Sequence, residues 1–136
     1  MKRALVFIAT VAFLLPGCAL IDRVGSGTPN CTGSTCTVTV TVKACKDIDI
    51  DPVDVHVNSG AKHIEWNLAG GSQWEFVTDG VTFKGNTENE FEGKDKQARK
   101  FKWKYKNTLK PRRHYYAVTV TDGRQVCTKD PSIMNN

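Results

Sequence analysis

Unbroken alternation limits the fold of this chain more than any other feature. Thr37-Val38-Thr39-Val40-Thr41-Val42 alternates hydroxyl and apolar side chains, and every residue in it is β-branched. Such side chains are crowded in a helix and fit well on a pleated strand. Successive strand residues point to opposite faces, so Val38, Val40 and Val42 are expected to meet a core and the threonines to meet water. The pattern recurs in Ile48-Asp49-Ile50, in Val53, Val55 and Val57, and in His63-Ile64-Glu65-Trp66-Asn67-Leu68. It returns in Trp74 and Phe76, in Val81 and Phe83, and in Tyr116, Val118 and Val120. Turn signals separate these runs: Asp51-Pro52, Asn58-Ser59-Gly60, Ala69-Gly70-Gly71-Ser72, Asp79-Gly80 and Asp122-Gly123. Asn86 to Gln97 is polar with Phe91 as its one apolar anchor, and is expected to be a long loop. No long segment has helical periodicity, and there is no internal repeat. Many short strands punctuated by turns predict an all-β fold, an antiparallel sandwich or barrel.

One run carries charge in its alternation. Phe101, Trp103 and Tyr105 interleave with Lys100, Lys102, Lys104 and Lys106. Stacking on nucleic acid needs aromatics and cations on one accessible surface, whereas strand alternation sends them to opposite faces. The aromatics are therefore expected in the core and the lysines in water, with no nucleic-acid partner. Between Lys94 and Arg113 there are ten Lys or Arg and one acid, Asp95, while acids dominate from Asp47 to Glu92. The lysine face, with Lys110, Arg112 and Arg113, is a candidate contact for anionic lipid headgroups or a surface polyanion. Its lysines also guard an edge strand against pairing with another chain.

The N-terminus reads as an address. Lys2 and Arg3 precede the uncharged run Ala4 to Leu15, which is short for a membrane span and suits the apolar part of a secretory signal. It ends in Leu15-Pro16-Gly17-Cys18, which resembles the lipobox of bacterial lipoproteins: an apolar residue, a loosely specified one, a small one, then cysteine. The resemblance implies a signal peptide over residues 1–17, cleavage at Gly17-Cys18 and lipid on the Cys18 sulfur. Several acyl chains would then hold the protein on a bacterial cell membrane, each buried methylene contributing about 0.8 kcal/mol. Ala19 is not the aspartate associated with inner-membrane retention, which favours the outer membrane, facing the periplasm, in a Gram-negative cell. Residues 18–35, with Gly25-Ser26-Gly27-Thr28-Pro29, are expected to form a flexible tether. Residues 36–136 fit one domain, small enough for disulfides to matter.

Beyond Cys18 the chain has Cys31, Cys36, Cys45 and Cys127. An even number in an exported chain points to disulfides rather than to a metal site, since neither a Cys-x-x-Cys pair nor clustered histidines accompany them. Three pairings are possible. The preferred one joins Cys31 to Cys36 at the head of the domain and Cys45 to Cys127, tying an early strand to the C-terminal segment.

The middle of the chain resembles the cupredoxin family. The residues that carry the resemblance are Asp51-Pro52-Val53-Asp54-Val55-His56-Val57-Asn58-Ser59-Gly60, then Ile64-Glu65-Trp66-Asn67, then His114-Tyr115-Tyr116-Ala117-Val118. It implies a Greek-key sandwich. Copper in that family is held by two histidines, a cysteine and usually a methionine. Here the loop before Trp74 reads Ala69-Gly70-Gly71-Ser72-Gln73, and no cysteine lies within a few residues of Val118. Cys127 is followed by no histidine, and Met134 alone is not a ligand set. The expectation is therefore a cofactor-free, metal-free domain. His56, His63 and His114 are expected at the surface or in packing. Asp47, Asp49, Asp51 and Asp54, and likewise Glu88, Glu90 and Glu92, are expected on solvated faces. No catalytic set emerges, and a non-enzymatic binding or structural role with an envelope protein partner is the primary expectation. The rivals are a copper carrier or electron-transfer protein and an inhibitor of a secreted enzyme.

Overall fold

The computed structural model describes residues 30–135, apart from residues 72, 88 and 110. The expected signal peptide and Cys18 lie outside the described residues. Ten strands follow one another: β1 (Thr35–Ala44), β2 (Asp47–Asp51), β3 (Asp54–Val57), β4 (Lys62–Ala69), β5 (Glu75–Phe83), β6 (Phe91–Lys96), β7 (Lys100–Tyr105), β8 (Arg113–Thr121), β9 (Val126–Lys129) and β10 (Ser132–Asn135). They form two five-stranded sheets. The first has the order β2-β1-β4-β7-β6. The second has the order β3-β10-β8-β5, with β9 also paired to β8.

One core joins the two sheets, and alternation builds it. Val38, Val40 and Val42 of β1, Ile64 and Trp66 of β4 and Phe101 and Tyr105 of β7 are buried from the first sheet. Phe76 and Val81 of β5, Tyr116, Val118 and Val120 of β8 and Ile133 of β10 meet them from the second. Trp66 lies edge-on to Tyr116 with ring centroids 5.3 Å apart, and Phe76 lies edge-on to Phe101 at 5.7 Å. These offset contacts suit the aromatic quadrupole.

The sheets are mixed rather than antiparallel throughout, which corrects the sequence expectation. β1 runs parallel to β4, with Val38 beside Trp66 and Val40 beside Leu68. β3 runs parallel to β10. Alternation fixes which face a strand buries but carries no information on the direction of its neighbour.

Two further expectations change. The stretch read as a loop from Asn86 to Gln97 contains β6, an edge strand paired with β7. Its residues are half-buried or exposed, so it lacks the apolar repeat that marks the other strands. Its register shifts between Glu92 and Asp95, where Gly93 adopts a φ of 64°. That is a bulge built on glycine, which takes this conformation without a Cβ penalty. Second, Asp79-Gly80 does not end a strand: β5 runs through it, and its pairing with β8 shifts register between Phe76 and Val81. A Cβ on Gly80 would lie 2.8 Å from the Phe76 Cβ, so the irregular stretch needs glycine for close approach.

The chain is already packed at Asn30, short of the Thr35 expected for the end of the tether. The Asn30 side-chain amide donates to Asp54 O at 2.9 Å, and its carbonyl accepts from His56 N at 2.8 Å. Cys31 is buried and bridges Val57 in parallel.

Candidate functional site

Both cystines form as expected: Cys31–Cys36 and Cys45–Cys127, with Cα atoms 5.2 and 5.1 Å apart. Each crosses between the sheets. Cys36 lies in β1 while Cys31 bridges Val57 of β3. Cys45 directly follows β1 while Cys127 lies in β9. The strand β1 is thus fastened to the opposite sheet at both of its ends. Cys31 and Cys36 also line a half-open cavity of about 300 Å³, together with Thr35, Thr37, Pro52 and Val55.

The lysine face forms as the alternation predicts, but it is not a bare positive surface. Phe101 and Tyr105 are fully buried; Trp103 is half-buried, and its indole N–H donates to Val81 O at 3.0 Å. On the other face each lysine meets an acid of a neighbouring strand. Lys100 lies 3.2 Å from Glu65 and Lys102 lies 3.9 Å from Asp95. Lys104 and Lys106 share Glu92 at 2.9 and 3.2 Å. The Asn67 amide, with Lys100 and Lys102, holds the Glu65 carboxyl below the usual range. Lys104 and Lys106 do the same for Glu92.

Arg112 donates to Asn86 O at 3.1 Å. Arg113 starts β8 and is exposed, two residues from exposed Tyr115 on the same face. Lys110 lies outside the described residues.

Burial, not surface charge, marks the group that sequence reasoning missed. Glu90 was expected on a solvated face with Glu88 and Glu92; it is 2% exposed. Glu92 is exposed in part and paired, and Glu88 lies outside the described residues. The Glu90 carboxylate accepts Thr108 N at 2.8 Å and a short bond from the Thr108 hydroxyl. Burial raises its pKa, but the bonds from Thr108 and Leu109 N and the nearby His114 outweigh it and hold it below 4.5. Its main chain is also fixed: N donates to Thr87 O and O accepts Lys106 N. The one signal for this role is that Glu90 immediately precedes Phe91, the anchor of its segment.

His114 is buried next to this carboxylate, edge-on to Phe91 and Tyr105 with centroids 5.2 and 5.4 Å away. Lys62, on the inward face of β4, sits opposite Tyr105 in register and is 8% exposed. Burial raises the Tyr105 phenol well above its ordinary pKa, with Glu90 adding to the shift. Glu90, His114, Tyr105 and Lys62 thus gather polar chemistry at one end of the domain. Glu90 bonds to the 106–109 segment while the rings of Tyr105 and His114 pack on each other and on Phe91, so the Glu90 carboxylate fixes the segment that leaves β7.

The other candidates are dispersed. His56 is half-buried on β3 and His63 is exposed on β4. Asp47, Asp49 and Asp51 point outward from the edge strand β2, while Asp54 accepts a short bond from the buried Ser132 hydroxyl. Among the described residues no group of three or more His, Cys, Asp or Glu side chains converges in a way that could hold a metal ion. No family model matches the chain, and no curated protein matches it.

Proposed function

We propose that this chain is a bacterial envelope lipoprotein: a signal peptide removed before Cys18, lipid on Cys18, and a non-catalytic cupredoxin-like Greek-key sandwich that binds or supports an envelope partner. The observation that carries it is the pair of cystines standing behind a lipobox-like N-terminus. Disulfides persist in oxidising compartments such as the periplasm and are rare in the cytosol. An export signal and an oxidised domain therefore agree on the side of the membrane. The resemblance to cupredoxins gains support from placement. Asp51-Pro52 leads from the first sheet into the second, Trp66 lies in β4, and Tyr116 on β8 packs on Trp66 across the core.

Contact with anionic lipid or a surface polyanion belongs in this reading to the lysine face, Lys100, Lys102, Lys104 and Lys106, with Lys110, Arg112 and Arg113. Three carboxylates face the four ladder lysines, Lys104 and Lys106 sharing Glu92, so that face keeps a positive excess.

Cys18 tests the reading. Growth with an alkyne-tagged palmitate should label the protein in the membrane fraction. Cys18→Ser should lose the label and accumulate the uncut precursor. An unlabelled wild-type protein released in soluble form would sink the anchor.

A further inference from the structure

Both covalent cross-links fasten the same strand. β1 supplies Val38, Val40 and Val42 to the core and is hydrogen-bonded on both sides, to β2 and to β4. Its pairing with β4 is parallel, so it is not closed by a tight turn and must be brought together across intervening chain. One cystine closes a separation of 82 residues and the other a separation of 5. Chain-entropy arithmetic makes the long closure worth on the order of a thousandfold in the folding equilibrium and the short one on the order of thirtyfold. Their product rivals the whole folding equilibrium of an ordinary small domain.

We propose that oxidation gates the folding of this domain: the reduced chain stays open, and closure of Cys45–Cys127 locks β1 between the sheets. The inference rests on the envelope reading, because a chain that crosses a membrane through a narrow channel must cross unfolded. Reduced in the cytosol, it keeps that state; oxidised outside, it leaves it. The chemistry is thiol–disulfide exchange with an external disulfide. One cysteine thiolate attacks that disulfide and displaces one of its sulfurs, and the second cysteine thiolate displaces the other. The two protein thiols give up two electrons and two protons, and the external disulfide leaves as two thiols. In the folded domain Cys31, Cys36 and Cys127 are buried and Cys45 is half-buried, so exchange is easiest on the open chain and closure shields the cystines.

The test uses the full-length protein isolated in detergent. Buried Trp66 and Trp74 report native packing through near-ultraviolet circular dichroism. Dithiothreitol under otherwise native conditions should abolish that signal and open the chain to added protease, and oxidised glutathione should restore both. By urea titration, C45A/C127A should lower the folding equilibrium on the order of a thousandfold and C31A/C36A on the order of thirtyfold. If C45A/C127A does not fold at all, the reduction and reoxidation cycle reads the same gate on the natural sequence. A reduced protein that keeps its signal and its protease resistance overturns the proposal. Equal losses from the two double variants overturn the assignment of the lock to Cys45–Cys127. The intact mass of the same preparation reads the lipid on Cys18 separately, so failure of the anchor and failure of the gate are distinguishable.

Discussion

Arg99 directs its guanidinium at main-chain carbonyls. Its two terminal nitrogens donate to Gly71 O and Trp74 O at 2.9 and 3.0 Å, and to Leu68 O and Gly70 O at 3.0 and 3.2 Å. One planar fork thus organises the β4–β5 connection, and no ammonium could match the four directions. Arg99→Ala is expected to cost about 2 kcal/mol in a urea titration, with Arg99→Lys recovering less than half of it. Glu90 is the second such residue. Its folded pKa lies below the unfolded value, so its contribution is complete above that value and is lost as pH falls through the folded one. Stability should hold steady from neutrality to about pH 5 and decline below about pH 4.5, a window shared with Glu65, Glu92 and Asp122 at the surface. Glu90→Gln should flatten part of that decline and cost about 1–2 kcal/mol at pH 7, read from urea midpoints across pH. Neither role was legible in the sequence. An acid or an arginine in a polar segment looks alike whether it faces water or a turn, because its partners arrive from distant parts of the chain.

Strands were legible where one side chain in two is apolar. β1, β4 and β8 follow from their Val, Ile, Trp and Tyr repeats, and in β7 the burial of Phe101 and Tyr105 follows from the same rule. β6 was not legible because an edge strand has one hydrogen-bonded neighbour and little to bury, so its pattern is written in charge. That charge has a partner code of its own: Glu92 stands opposite Lys104 and Asp95 opposite Lys102. Lys104→Glu would set like charges against each other and should lower the thermal midpoint. Adding Glu92→Lys should recover most of the loss, and a double-mutant cycle on thermal midpoints measures the coupling. The lysine run was visible in the sequence as a possible contact surface. Its partial neutralisation was not, since the acids that meet it come from β4 and β6.

At the scale of the whole molecule, the all-β class followed from alternation and turns, and two disulfides from the even count of cysteines, while the pairing was a preference among three that the fold decides. The mixture of parallel and antiparallel pairs did not, because direction is set by the path between strands. The same path gives β1 its double fastening, and this has a consequence for the domain if it hangs from its N-terminus as proposed. A pull from the N-terminal side arrives, among the described residues, first at Asn30 and Cys31, which are hydrogen-bonded to β3. If those bonds part, the tension passes through sulfur to Cys36 at one end of β1, and beyond β1 through sulfur again from Cys45 to Cys127. Hydrogen bonds between strands can unzip under load, but covalent bonds at these points hold far longer. Peeling from the N-terminal side therefore meets a covalent stop at each end of β1, and under the proposed anchor the domain would resist being unravelled from that end.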